Sequence, residues 1–293
     1  MPLAGGLGRL LRPWRALSLV PLMVAGGCSS ADVVNALVPR DNVIITRDER
    51  YGDQPRQSLD IYRPIDHGAR LPIVIFFYGG EWQSGSKDMY LFVGQALAER
   101  GIVAVIPDYR LFPDVRFPEF LEDGAEAVRW TIDHAGDLGG DSRRVYLMGH
   151  SAGAYITAML TLDRRWLSSE RAGTSRSVRG AIGLAGPYDF LPLRSSALRT
   201  IFGPEDRLQA TQPINFVSGG EPPMLLITGD ADDVVDPANS AHLAARIRAK
   251  GGTVEERRYR SLGHVRLVGS LARPLQFLAP TMDDVVSFIA SHD

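Results

Sequence analysis

Cysteine is almost missing: Cys28 is the only one in 293 residues. No disulfide can therefore close within the chain, and no thiolate cluster can hold a metal. Lysine is nearly as scarce, with Lys87 and Lys250 the only two among 32 basic residues. That bias toward arginine reads as coding preference rather than function. The formal net charge is −2, and no basic stripe is interleaved with aromatics, so nucleic-acid binding has no support. Internal repeats and low-complexity tracts are absent too. What remains is 45% hydrophobic and 23% charged, the profile of an ordinary globular chain of this size.

One absence is local. No acidic residue precedes Asp32, while Arg9, Arg12 and Arg15 lead into the apolar stretch "ALSLVPLMVAGG". A basic n-region, a short h-region and small residues describe an export signal, too short for a comfortable membrane span. "VAGGCSS" resembles a bacterial lipoprotein signal in which Cys28 becomes the lipidated first residue. Residues 1–27 are expected to be a signal peptide and residues 28–42 a polar tether. The exported protein is expected in the cell envelope, lipid-anchored at the outer membrane on its periplasmic side, or else periplasmic or secreted.

From residue 43 onward the patterning changes. "VIITRD" and "SLDIYRP" read as short strands. "LPIVIFFYGG", "GIVAVIPDY", "RRVYLMGH" and "PPMLLITGD" are continuously apolar, with "GAIGLAG" a weaker fifth, as expected of strands buried on both faces. Helical patterns alternate with them at 88–100, 119–135, 152–162 and 237–250. "TVEERRYR" reads as a last strand before a helix near 281–291. Such alternation predicts one α/β domain over residues 43–293, a mostly parallel sheet with helices on both faces.

"LMGHSAGAY" places Ser151 between Gly149 and Gly153 at the carboxyl end of one such strand, where ligands bind in these sheets. Gly-x-Ser-x-Gly in a strand–turn–helix context is a nucleophile elbow, which holds a serine hydroxyl exposed on a strained turn. A serine needs a base, and the base an orienting carboxylate. Three of the six histidines follow Ser151. His242 lies inside the 237–250 helix and His292 is penultimate, which leaves His264, in a turn past "TVEERRYR". For the carboxylate, Asp230, Asp232 and Asp233 share one loop after "PPMLLIT", and Asp236 is accounted for as a helix N-cap.

"YGGEWQSGSK", "IPDYRLFPDVRFPEFLED" and "GGDSRRVYLMGHSAGA" resemble the α/β-hydrolase superfamily. More narrowly they resemble the carboxylesterases grouped with hormone-sensitive lipase, kynurenine formamidase, prenylcysteine methylesterase and feruloyl-esterase-like proteins. The resemblance runs from about residue 43 to the C-terminus. In that family the acid follows a Gly-x-x-Asp-x-x-Val pattern, matched by Gly229, Asp232 and Val235, which implies Asp232 as the third member beside Ser151 and His264. It also implies an oxyanion hole from Gly79, Gly80 and Ala152, with an architectural role for the "DYRLFPD" stretch. One position departs: the family's His-Gly-Gly is Tyr78-Gly79-Gly80 here.

The implied activity is cleavage of small carboxylic esters through an acyl-enzyme, with Tyr78, Glu81, Trp82 and Tyr188 lining the substrate pocket. No metal or other cofactor is expected. The alternatives are an arylformamidase or amide hydrolase using the same machinery, and a catalytically weak binding protein on this scaffold. The expected partners are a small ester and, through Cys28, a membrane. Nothing in the sequence sets the oligomeric state.

Overall fold

The computed structural model describes residues 30–39, 42–65, 68, 70–167 and 177–293; residues 1–27 and Cys28, with the export and lipidation readings, lie outside them. Eight strands form one sheet: β1 (Val43–Arg50), β2 (Ser58–Pro64), β3 (Leu71–Phe77), β4 (Val103–Pro107), β5 (Gly140–His150), β6 (Val178–Leu184), β7 (Met224–Gly229) and β8 (Val254–Tyr259). Their spatial order is β1-β2-β4-β3-β5-β6-β7-β8. β2 pairs antiparallel with both β1 and β4, and every other pairing is parallel. The apolar runs seen in sequence are the central strands: all five residues of β4 and all six of β7 are buried. β8, at the sheet edge, alternates between partly buried and exposed positions, which is why its sequence "VEERRY" carries four charges.

Right-handed crossovers fix the layers. The step from β3 to β4 runs opposite to the steps from β4 to β5 and from β5 to β6. Helix α2 (Leu91–Ala98) therefore lies on one face, with α3 (Glu119–Asp133) and α4 (Ala152–Leu162) on the other. The order reverses beside β3, so the carboxyl ends of β3 and β5 border a topological switch point, where sheets of this kind place their ligands. Among the described residues, no helix is long and apolar enough to cross a membrane.

The segment expected as a tether differs. Within it Ser30–Leu37 is helical (α1) and docked. The Asn35 amide donates to the carbonyls of Asp88 (3.0 Å) and Met89 (3.3 Å), and its oxygen accepts from the Phe92 N–H (3.1 Å). The turn that receives it, Lys87–Tyr90, leads into α2.

Candidate active site

Ser151 sits between β5 and α4 with φ 55° and ψ −121°, a left-handed conformation that costs about 1–3 kcal/mol in a non-glycine residue. The flanking glycines make that turn possible. A Cβ at Gly149 would lie 2.2 Å from the Gly153 carbonyl oxygen, and one at Gly153 only 1.9 Å from that of Phe77. The helix start is thus pressed against the end of β3, and the Ser151 N–H is tied to the Leu184 carbonyl at 2.9 Å.

The acid and base loops are laced together at the ends of β7 and β8. The N–H groups of Asp230 and Ala231 donate to the carbonyls of Tyr259 (2.9 Å) and Leu262 (3.1 Å). A Cβ at Gly229 would meet the Leu262 carbonyl oxygen at 1.9 Å, so the approach requires glycine there. His264 opens a short helix, His264–Gly269, and its Nδ1 lies 2.8 Å from Asp232 Oδ2. The other carboxylate oxygen, Oδ1, accepts from the N–H groups of Val234 (3.0 Å) and Val235 (2.9 Å). Burial works to raise the Asp232 carboxyl, but His264 and these two N–H donors outweigh it and hold it below its ordinary value. An ionised Asp232 accepts the Nδ1 proton, which leaves Nε2 free to take another. Its sequence rivals are placed otherwise: Asp233 is exposed, Asp230 pairs with Arg258, and Asp236 accepts from the Ala238 N–H at 2.9 Å.

His150 connects the elbow to the base. Its Nε2 lies 3.2 Å from the His264 carbonyl, and the two rings are tilted with centroids 4.6 Å apart. Burial and the nearby His264 push His150 down to about 3, so it is neutral and donates from Nε2. The Ser151 hydroxyl makes no hydrogen bond to His264. Such contacts commonly tighten only when substrate binds.

Gly79 lies against the elbow, where a Cβ would stand 2.9 Å from Ser151 Cβ. Gly80, at φ 135°, accepts from the N–H groups of Gln83 (2.9 Å) and Ser84 (3.0 Å), closing a tight loop. Ala152 is the first residue of α4, where N–H groups have no intrahelical acceptor. The N–H groups of Gly80 and Ala152 meet no protein acceptor among the described residues. Donors of this kind suit a developing oxyanion.

Two of the four expected pocket residues are placed elsewhere. Tyr78 is fully buried beneath the loop, its hydroxyl donating to Asp108 at 2.6 Å, with its ring stacked between Tyr109 and Tyr90. Tyr188 is fully buried in the core against Gly183 and Gly186. Bulk and aromaticity suggested a pocket; burial assigns both to structure. Glu81 is exposed on the loop. Trp82 is 3% exposed, edge-on to Tyr155 (5.2 Å) and Phe202 (4.8 Å) and stacked on Phe190 (6.2 Å). Tyr155 is one helical turn past Ser151, so this aromatic wall stands beside the elbow.

Sequence reasoning missed Arg56, which touches Tyr78. Nothing in the stretch "GDQPRQ" marks it out. Asp108 belongs to the "DYRLFPD" stretch, whose next arginine, Arg110, grips the fully buried Asp123 through Nε and Nη2. Two clefts of about 480 Å³ open elsewhere, one lined by Arg70, Gly140 and Arg143 and one by Pro64, Glu99 and Arg273, and neither contains these residues. Among the described residues no group of three His, Cys, Asp or Glu side chains is arranged around a metal position.

With this geometry in view, likeness to known proteins is informative. A family model described as BD-FAE matches residues 59–247. Isoprenylcysteine alpha-carbonyl methylesterase of Arabidopsis thaliana is 31% identical over 267 residues, 83% of this chain and 61% of that protein. Kynurenine formamidase of Danio rerio is 32% identical over 149 residues, 51% of this chain and 48% of that protein. The chain thus spans about six tenths or less of these relatives' length. Among solved structures, a propionate-bound esterase from Thermogutta terrifontis superposes with a TM-score of 0.70 at 25% identity, over 86% of this chain and 94% of that one. The fold is that of the α/β-hydrolases.

Proposed function

The chain belongs to the BD-FAE family, and on that premise we propose that it is a serine hydrolase of small carboxylic esters. Ser151 Oγ attacks the ester carbonyl while its proton passes to Nε2 of His264. The carbonyl electrons become an oxyanion held by the N–H groups of Gly80 and Ala152. As the tetrahedral adduct collapses, His264 returns the proton to the departing alcohol and an acyl group remains on Ser151. Water, deprotonated by His264, then releases the acid. Asp232 fixes the ring and stabilises the imidazolium without itself taking the proton.

The observation that carries this reading is the doubly anchored Asp232, with one oxygen on His264 Nδ1 and the other on two backbone N–H groups. Such a carboxylate has one effect on the imidazole: it holds Nε2 as the basic atom. Esterase and methylesterase relatives support ester cleavage. The formamidase relative favours an arylformamide as the second reading, since the same atoms serve an amide carbonyl. The test is turnover of p-nitrophenyl acetate against an N-formyl aryl amide, by the wild type and by Ser151→Ala. Ester turnover lost in the variant, with acyl adduct mass on Ser151 in the wild type, is the expected result. Turnover surviving in Ser151→Ala would remove the acyl-enzyme.

The envelope location rests on the sequence before α1. Arg9, Arg12, Arg15 and "VAGGCSS" support export and lipidation at Cys28. Two or more acyl chains make such an anchor stable, whereas one holds only marginally.

A further inference from the structure

The oxyanion loop is gripped at both ends by one arginine. Arg56 Nη2 donates to the Tyr78 hydroxyl (2.7 Å), just before Gly79, and to the Gly85 carbonyl (2.8 Å), where the loop ends. Its Nε donates to the Tyr109 carbonyl (2.8 Å), beyond β4. Asp108 completes the clamp: Oδ1 accepts from the Tyr78 hydroxyl (2.6 Å) and from the Lys87 N–H (2.8 Å), with Arg56 Nη2 at 3.4 Å. The Tyr109 hydroxyl closes it from below, donating to the Tyr78 carbonyl at 2.8 Å. There is no slack at the loop's exit, because a Cβ at Gly85 would lie 2.8 Å from the Gly79 carbonyl oxygen and 2.9 Å from the Tyr78 ring. Burial, with Tyr109 and Asp108 nearby, raises the Tyr78 phenol well above its ordinary value. The hydroxyl therefore keeps its proton, donating a hydrogen bond to Asp108 while accepting one from Arg56.

We propose that Arg56, acting through Tyr78 and Asp108, is the positioning residue that sets where the N–H donor of Gly80 stands relative to Ser151. The inference rests on the ester-hydrolase reading and adds a residue outside the stretch 59–247 matched by the family model. It also explains why a tyrosine serves where the resemblance implies histidine. Tyrosine carries its polar atom at the end of a longer side chain, and here it meets Arg56 and Asp108 together, two groups that stand 3.4 Å from each other. Arg56 touches no reacting atom. Its effect is on the transition state, because the oxyanion forms only there, and ground-state binding of substrate is left alone.

The test uses the full chain with Arg56→Met, Arg56→Lys, Tyr78→Phe and the Arg56→Met/Tyr78→Phe double variant. Steady-state turnover of p-nitrophenyl acetate is measured together with inhibition by an aryl trifluoromethyl ketone. Ser151 adds to that ketone's carbonyl, its proton moves to His264, and the resulting alkoxide occupies the oxyanion donors. Complete loss of one such donor costs about 10²–10³ in kcat, so a displaced donor should cost about tenfold. Arg56→Met and Tyr78→Phe are each expected to lower kcat by that factor with KM nearly unchanged, and to weaken the ketone by the same factor. The double variant should be little worse than either single one, since both break the same clamp. Arg56→Lys, whose donors all sit on one nitrogen where Arg56 uses both Nε and Nη2, should recover only part of the loss. Should Arg56→Met fail to fold, Tyr78→Phe and Arg56→Lys decide the question. Lowered melting temperature with wild-type kcat and ketone affinity would overturn the proposal, as would a loss confined to KM. A folded wild type inert toward both ester and ketone would instead remove the ester-hydrolase reading, and this inference with it.

Discussion

Replacing Asp232 by asparagine probes the site at the point where its chemistry is most sharply specified. The carboxylate serves three donors: His264 Nδ1 at 2.8 Å on one oxygen, Val234 N–H at 3.0 Å and Val235 N–H at 2.9 Å on the other. An asparagine has one oxygen and one NH₂. If the NH₂ faced the valines, two N–H donors would meet another donor and lose their acceptor, at up to about 1–3 kcal/mol for the part-buried Val235 N–H and less for the exposed one of Val234. The oxygen therefore stays with the valines and the NH₂ turns toward His264. Two donors cannot share that contact, so the imidazole gives up its Nδ1 proton and carries it on Nε2, where it can no longer accept from Ser151. A wrong tautomer of this kind lowers kcat by about 10⁴, equivalent to about 5.4 kcal/mol of transition-state stabilisation. Because side-chain shape is kept, the fold should lose no more than about 1–2 kcal/mol. The assay is kcat on p-nitrophenyl acetate beside a calorimetric melting temperature, with Asp233→Asn, at an exposed position, as the control. The reasoning is refuted if Asp232→Asn keeps more than about a hundredth of wild-type kcat, or if Asp233→Asn shows the larger loss.

Gly153→Ala should destabilise the chain by about 3 kcal/mol, read as a lower urea midpoint, because the new methyl would meet backbone, the carbonyl oxygens of Phe77 at 1.9 Å and of Tyr78 at 2.6 Å; a wild-type midpoint would contradict the packing described. Tyr188→Phe should leave kcat within about twofold of wild type, below the discrimination even a small pocket change produces, since Tyr188 lies in the core; a large drop in kinetic assays would return it to the substrate side. The depressed Asp232 carboxyl stabilises the fold at pH above its unfolded pKa, about 3.9, and that contribution disappears as pH falls through the lower folded value. The melting-temperature advantage of wild type over Asp232→Asn should therefore shrink on acidification toward about pH 3, and a gap that widens would give the shift the wrong sign. Cys28→Ser should abolish lipid labelling in the producing cell with little change in specific activity, and intact mass of the membrane-extracted wild type showing unmodified Cys28 would remove the anchor.

The central strands were legible because burial on both faces leaves continuous apolar runs, and "LPIVIFF" and "MLLITG" are short for helices and are bounded by Gly or Pro. The Ser151 elbow was legible because its two flanking glycines answer to backbone overlaps that any side chain would create. His264 and Asp232 lie 32 positions apart and came from chain order and the family pattern; their contact is made by loop lacing that leaves no periodic trace. α1 escaped because its eight residues make only about two turns, and its helix is held by Asn35 on a turn more than fifty residues away. Arg56 escaped for the same reason, since its partners stand at positions 78, 85, 108 and 109. Tyr78 and Tyr188 were misjudged because a large amphipathic ring in sequence does not say which way it faces.

The docking of α1 bears on how much freedom an anchored protein would have. With Asn35 fastened to the turn before α2, only two peptide links separate Cys28 from the first helical residue, Ser30, a reach of about 7 Å at full extension. A lipid on Cys28 would then behave as a rivet rather than a leash. The body could rotate about that point but could not travel outward, and the height of Ser151 above the bilayer would be set by the distance through the protein from α1 to the elbow. Substrates would have to come to that fixed height. Lengthening the Cys28–Ser30 connection with glycine and serine would change the range of the enzyme over its surroundings while leaving every atom of the site where it is.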